Sequence, residues 1–141
     1  MSFILHTAIA LVIVDKLPAS PLIILLLAFL SHWILDFLPH YDRPGMPKKQ
    51  VIILGIGDLF LSATLLTLYI FLISESSIFL VIGAFLLAIF PDFFLIIDIL
   101  WNKKLLKPIF HDFHLKMQHE YTWAWIIELI ILITVCIILF I

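Results

Sequence analysis

The sequence predicts an all-α membrane protein, a bundle of about five transmembrane helices with one amphipathic helix on the cytoplasmic surface. First, 65% of the 141 residues are hydrophobic and only 13% are charged, whereas soluble domains average about 45–50% apolar and 25% charged residues. Second, the apolar residues form long uninterrupted runs. Third, the few basic residues are concentrated in two short segments between these runs. Residues 1–141 therefore form a single membrane domain.

The same composition excludes several other classes of protein. A net charge of −2 does not suit a basic nucleic-acid-binding module, so no nucleic-acid partner is expected. The single cysteine, Cys136, has no partner with which to build a disulfide scaffold. An intrinsically disordered chain would have low hydrophobicity, which is the opposite of what the sequence shows.

Five apolar runs predict the transmembrane helices in order. The first is short and the second, at 18 residues, is at the lower limit for a span. The last three are long enough to cross a hydrocarbon core of about 30 Å at 1.5 Å per residue. Because Asp15 and Lys16 interrupt the pattern of a cleaved signal peptide, we expect the first run to stay in the mature chain. The predicted spans are 2–14, 21–38, 51–73, 78–101 and 121–141.

The basic residues predict the orientation and the surface helix. Seven of the eight lie after the second or the fourth run, and the positive-inside rule places both segments in the cytoplasm. Five spans then put the N-terminus in the cytoplasm and the C-terminus outside, in the inner (cytoplasmic) membrane. Residues 105–119 are predicted to be a surface helix with its apolar face on the lipid. The basic residues are Arg43, Lys48, Lys49, Lys103, Lys104, Lys107 and Lys116.

His32, Asp36, Asp58 and Asp92 each lie inside an apolar run rather than in the polar segments between the runs. A charged aspartate at the centre of a transmembrane helix costs about 2.5–3.5 kcal/mol on insertion scales. Since the third and fourth runs contain no lysine or arginine, protonation, a histidinium or a bound cation must neutralise the carboxylates. The i, i+4 spacing of His32 and Asp36 places both on one helical face, where they either ligate one ion or form a buried hydrogen-bonded pair. Gly55 and Gly57 are expected to permit close approach of a neighbouring helix.

Four segments resemble those of the bacterial and archaeal membrane-bound metal-dependent hydrolases, a family sometimes related to zinc-dependent phospholipase C. They are LHTAIA (5–10), AFLSHWILDFLPHYD (28–42), AIFPDFF (88–94) and FHDFHLKMQ (110–118). The shared features are an early histidine, a Ser-His-x-x-x-Asp helix, a Pro-Asp pair and a separate histidine cluster. The resemblance implies that His6, His32, Asp36 and Asp92 are metal ligands, with His114 contributed by the later cluster.

The leading functional prediction is a membrane-embedded, metal-dependent hydrolase whose site is near the cytoplasmic interface. Zinc is the expected metal for a mixed His/Asp site, with manganese or iron as alternatives. Asp58 is predicted to act as a base, and His40 or His111 to protonate the leaving group. A phospholipid or another lipid-linked phosphoester in the surrounding bilayer is the favoured substrate class.

Two other functions stay open at this point. Intramembrane carboxylates also mark ion pathways, so the second hypothesis is a transporter or channel for a metal ion or protons. Its weakness is that the outer halves of the spans offer few polar groups, although an oligomer would assemble a path between copies. The third hypothesis is a non-catalytic membrane subunit in which the His/Asp cluster holds a structural metal.

Overall fold

In the part of the chain that the structure describes, five α-helices, one over each apolar run, dominate the fold and confirm the all-α class. The computed structural model describes residues 2–40, 47–101 and 119–141. Two-residue strands, β1 (Pro39–His40) and β2 (His119–Glu120), form a short parallel pair between the segment after α2 and the segment before α5. The helices are α1 (Phe3–Lys16), α2 (Pro21–Asp36), α3 (Lys48–Leu72), α4 (Ile78–Trp101) and α5 (Trp125–Phe140).

Local sequence explains most of the helix boundaries. Pro21 is the first residue of α2, where its fixed φ suits a helix and its missing N–H costs nothing. Pro47 precedes α3 in an extended conformation. The last helix begins at Trp125 rather than at the predicted 121, because Ala124 closes a turn by donating its N–H to the carbonyl of Tyr121. The predicted surface helix lies outside the described residues, except for its last position, 119, which is in β2.

The first helix, predicted from the shortest run, is the centre of the bundle. It packs against all four other helices, while α2 also packs along α4. Leu5, Ala8, Ala10 and Leu11 of α1 are buried almost completely, and the small alanine side chains allow neighbouring backbones to approach closely. The central position of α1 brings the residues near its N-terminus into contact with α2, α3 and α4.

Glycines contribute to packing at a different place from the one predicted. A Cβ atom added to Gly83 of α4 would lie 3.1 Å from Cδ2 of Leu25 in α2, so this glycine belongs to the close contact of these two helices. By contrast, an added Cβ at Gly55 or Gly57 of α3 would meet no atom of the described residues within 4 Å. The expectation that these two glycines lie at a close helix contact is therefore wrong for the part of the chain that the structure describes.

Two contacts show that α1 and α3 run parallel. The carboxylate of Asp58 accepts hydrogen bonds from the backbone N–H groups of Phe3 and Ile4, at the start of α1. The hydroxyl of Tyr69 donates to Oδ1 of Asp15 at 3.2 Å, near the end of α1. Asp58 is ten residues from the start of α3, which is about 15 Å along the helix. The N-terminus of α1 therefore lies beside the interior of α3 rather than level with its end.

Large apolar side chains cover much of the outside of the bundle. Leu22, Phe60, Phe71 and Phe79 are each more than 70% exposed, and soluble monomers rarely present extensive apolar patches. In the described part of the chain, the segment Lys49–Leu72 is long and apolar enough to cross a membrane, and three other apolar helical segments are shorter. These features indicate association with a membrane.

Candidate metal centre

Three helices bring together the four polar residues His6, His32, Asp36 and Asp92. The Nε2 atom of His32 lies 3.1 Å from Oδ2 of Asp36, and Nε2 of His6 lies 3.4 Å from Oδ1 of the same carboxylate. Asp92 faces both rings from α4, with its oxygens 3.8 Å from Nε2 of His32 and 3.9 Å from Nε2 of His6. We call these four residues the His/Asp cluster.

The helices that carry the cluster determine its arrangement. His32 and Asp36 are one turn apart on α2, so their side chains point the same way from a single rigid element. The imidazole of His6 stacks on that of His32, with ring centroids 4.1 Å apart and planes inclined by 18°. This stacking directs both Nε2 atoms toward the carboxylates of Asp36 and Asp92.

A backbone contact shows which ring nitrogen of His32 carries a proton. Its Nδ1 atom lies 2.7 Å from the carbonyl oxygen of Ala88 in α4. Because a carbonyl oxygen only accepts, Nδ1 is the donor, and a neutral ring then presents the lone pair of Nε2 to Asp36 and Asp92. Metal-binding histidines are commonly oriented in this way, by an N–H donated to a carbonyl or carboxylate.

Pro91 is next to this contact and explains part of the local geometry. As a proline inside α4, it cannot donate to the carbonyl of Leu87, and its ring pushes against that turn. The carbonyl that contacts His32 is the neighbouring one, that of Ala88. The proline therefore disturbs the hydrogen bonding of the turn that makes this contact, but the carbonyl that it leaves without a donor is a different one.

The cluster is buried, so the charges of its two carboxylates must be neutralised. His6, His32 and Asp36 are fully buried, and the side chain of Asp92 is only 11% exposed. Two carboxylates so close together in an apolar surrounding repel each other, and each is costly to bury alone. A divalent cation among neutral imidazoles would balance both charges. Without one, protons on the imidazoles or on the carboxyl groups themselves would have to neutralise the cluster.

Three of the donor atoms lie close enough together to make a site for one metal ion geometrically possible. Ligand atoms of His6, His32 and Asp92 all lie within 4.8 Å of one another. Asp36 contacts the two Nε2 atoms at 3.4 and 3.1 Å, which makes its carboxylate a candidate for a fourth ligand. Nitrogen and oxygen ligands bound at about 2.0–2.2 Å around a tetrahedral ion are about 3.4 Å apart. The His/Asp cluster can therefore hold a divalent ion with small side-chain adjustments.

Asp58, predicted as a base, contacts the backbone of α1. Its two carboxylate oxygens accept the N–H groups of Phe3 and Ile4, and its own carbonyl accepts the hydroxyl of Ser62 at 2.8 Å. Sequence reasoning did not anticipate this contact, because the partner is a helix terminus distant in the chain. The catalytic role of Asp58 stays a prediction.

The remaining predicted residues lie largely outside the described part of the chain. The backbone of His40 pairs with Glu120 in the short strand pair, but its side chain is not described. His111 and His114 fall between residues 101 and 119 and are likewise outside the described residues. Their assignments as proton donor and metal ligand therefore stay predictions.

No protein-family model matches this chain. Neither a curated protein nor a solved structure matches it. The resemblance to the membrane-bound metal-dependent hydrolases stays a prediction that depends on the four short sequence segments. The geometry of the His/Asp cluster is an independent observation, because the contacts among its residues do not depend on the resemblance.

Proposed function

We propose that this protein is a multi-pass membrane protein that binds a divalent metal ion in the His/Asp cluster and hydrolyses a phosphoester there. The observation that carries the proposal is the convergence of two imidazole Nε2 atoms and two carboxylates at 3.1–3.9 Å in a buried position. Zinc is the first candidate for such a mixed nitrogen and oxygen site, and manganese or iron are the alternatives.

The membrane arrangement in this proposal has five spans with the N-terminus in the cytoplasm. Two features support it. The parallel course of α1 and α3 is what alternating spans require, since the first and third cross in the same direction. The basic residues Lys48 and Lys49 begin α3, which fits a cytoplasmic start by the positive-inside rule. His6 is then level with the middle of α3, while Asp36 of the same cluster is the last residue of α2, the end that this arrangement puts on the cytoplasmic side.

Within this proposal the residues of the cluster have distinct tasks. His32 is oriented by Ala88, and Asp36 spans both imidazoles. Asp92 is the most exposed of the four and would be the residue that meets water and substrate. A bound divalent ion would supply a nucleophile at neutral pH and stabilise charge on a phosphoryl oxygen. The apolar surroundings strengthen these interactions, since they exclude competing water.

The proposed substrate is a phospholipid or another lipid-linked phosphoester. The exposed apolar surface of the helices supports a lipid environment, and the lysines at the start of α3 would attract an anionic headgroup. Assembly of several copies is compatible with this proposal and is not required by it, because one chain supplies all four residues of the cluster.

A second candidate function is a structural metal site in a non-catalytic membrane subunit. The observation that favours it is the complete burial of His6, His32 and Asp36. Structural metal sites are closed, whereas catalytic sites keep a position open for water or substrate. In this case Asp92 would complete the coordination rather than border an opening.

Activity measurements on metal-loaded protein in lipid nanodiscs decide between these functions. We expect Zn²⁺-loaded or Mn²⁺-loaded protein to hydrolyse at least one member of a phospholipid and phosphodiester panel, and chelation to stop it. Asp92→Asn should lose turnover, whereas the matched control Asp15→Asn, at the other end of α1, should keep it. Metal binding without turnover would favour the structural site. Metal-ion or proton flux in liposomes without turnover would favour a transporter.

A further inference from the structure

The N-terminus of α1 presents N–H groups that its own helix cannot satisfy. The first N–H groups of any helix lack intrahelical acceptors, and away from water each one needs another partner. Ser2 occupies the capping position, but its side chain makes no capping hydrogen bond. The carboxylate of Asp58 in α3 supplies the acceptors instead, for Phe3 and Ile4.

His6 lies within the turn that this contact holds in place. It is two residues beyond Ile4, and its own N–H bonds to the carbonyl of Ser2 at 3.4 Å. Terminal turns of helices fray when they are not capped. Fraying of this first turn would move the imidazole of His6 away from Asp36 and Asp92, since the position of its ring depends on the helical backbone there.

We propose that Asp58 is a positioning residue for the metal site, acting through the first turn of α1 on His6. This inference rests on the proposed metal-binding function. This role also explains why the third apolar run contains a carboxylate. The negative charge of Asp58 faces two backbone donors and the positive end of the dipole of α1. Asp58 would then hold a ligand in place, which is a different role from the base predicted from the sequence.

Titration and electron paramagnetic resonance of Cu²⁺ binding to the purified protein test this proposal. Asp58→Ala should weaken Cu²⁺ binding by about 2- to 30-fold, the range expected for loss of a helix cap. The wild-type spectrum should show two imidazole ligands, and the Asp58→Ala spectrum should shift toward the one-imidazole signal of His6→Ala. Asp58→Asn keeps one acceptor oxygen, so its loss of affinity should be smaller. Thr64→Ala, on an exposed face of the same helix, is the control.

The same substitutions in a His6→Ala background distinguish an effect of Asp58 on the position of His6 from a general destabilisation of the fold. If Asp58 acts through His6, neither Asp58→Ala nor Asp58→Asn should weaken Cu²⁺ binding any further in that background. Wild-type affinity and spectrum in both single variants, or equal losses with and without His6, would overturn the proposal. If Asp58→Ala does not fold, Asp58→Asn carries the comparison alone. A wild-type protein that binds no Cu²⁺ would instead overturn the metal site itself.

Discussion

Replacing Asp36 by asparagine should change stability in opposite ways with and without metal. The carboxylate faces both imidazoles, at 3.1 and 3.4 Å, and is fully buried. Structural zinc binding is worth about 10–16 kcal/mol. Shared equally among four ligands, this is about 2.5–4 kcal/mol each, or about 60- to 700-fold in affinity. In the chelated protein the same substitution removes one of two buried carboxylates that repel each other.

Thermal unfolding in detergent, with Zn²⁺ and with a chelator, measures both effects. For a 100-fold loss of affinity, the stabilisation by excess metal falls by about 2.7 kcal/mol, which lowers the Tm by about 5–11 °C for a chain of this size. With chelator we expect the Tm of Asp36→Asn to equal or exceed that of wild type. Asp15→Asn is the matched control, because this carboxylate contacts Lys16 and Tyr69 outside the cluster.

One result would refute this reasoning. If the cluster is held by protons, with imidazolium rings paired to the carboxylates, removing Asp36 breaks a buried ion pair and destabilises by about 3–5 kcal/mol. That loss would be the same with metal and with chelator. An equal fall in Tm under both conditions would therefore exclude a metal-held cluster.

Three further predictions concern the surroundings of the cluster and the membrane arrangement. The ring of Trp33 packs edge-on against His32 at 5.4 Å, so Cu²⁺ binding should quench part of the tryptophan fluorescence, and Trp33→Phe should abolish that quenching. Tyr69→Phe removes the hydrogen bond to Asp15 and should lower the free energy of unfolding by about 0.5–1.5 kcal/mol, while metal affinity stays unchanged in titrations. In a Cys136→Ser background, a thiol introduced by Lys48→Cys should react with an impermeant reagent from the cytoplasmic side; reaction from the outer side alone would contradict the proposed orientation.

The sequence predicted the helices well, because long apolar runs separated by prolines or polar residues indicate where helices form. It predicted the pairing of His32 with Asp36, since residues four apart on a helix share a face. His6 and Asp92 joined the same site only through the resemblance to a hydrolase family, and the structure brings all four together. Helix spacing relates residues on one element, whereas contacts between elements depend on the tertiary packing.

The contacts of Asp58 could not be predicted from the sequence. Its position in an apolar run indicated that something must neutralise the carboxylate, and a cation or a proton was the natural expectation. Its partners in the structure are the N–H groups of Phe3 and Ile4, which no periodicity or spacing could reveal. The short first run likewise gave no sign that α1 is the central helix, because burial against four neighbours depends on how the other helices pack.

Metal content per chain tests the central claim most directly. Elemental analysis of purified wild-type protein should find about one divalent ion per chain, and His32→Ala and Asp36→Ala should each lose it while Tyr69→Phe keeps it. These variants remove the imidazole held by Ala88 and the carboxylate that faces both rings. A well-folded wild-type protein that contains no metal, and takes up none when Zn²⁺, Mn²⁺ or Fe²⁺ is supplied, would contradict the account.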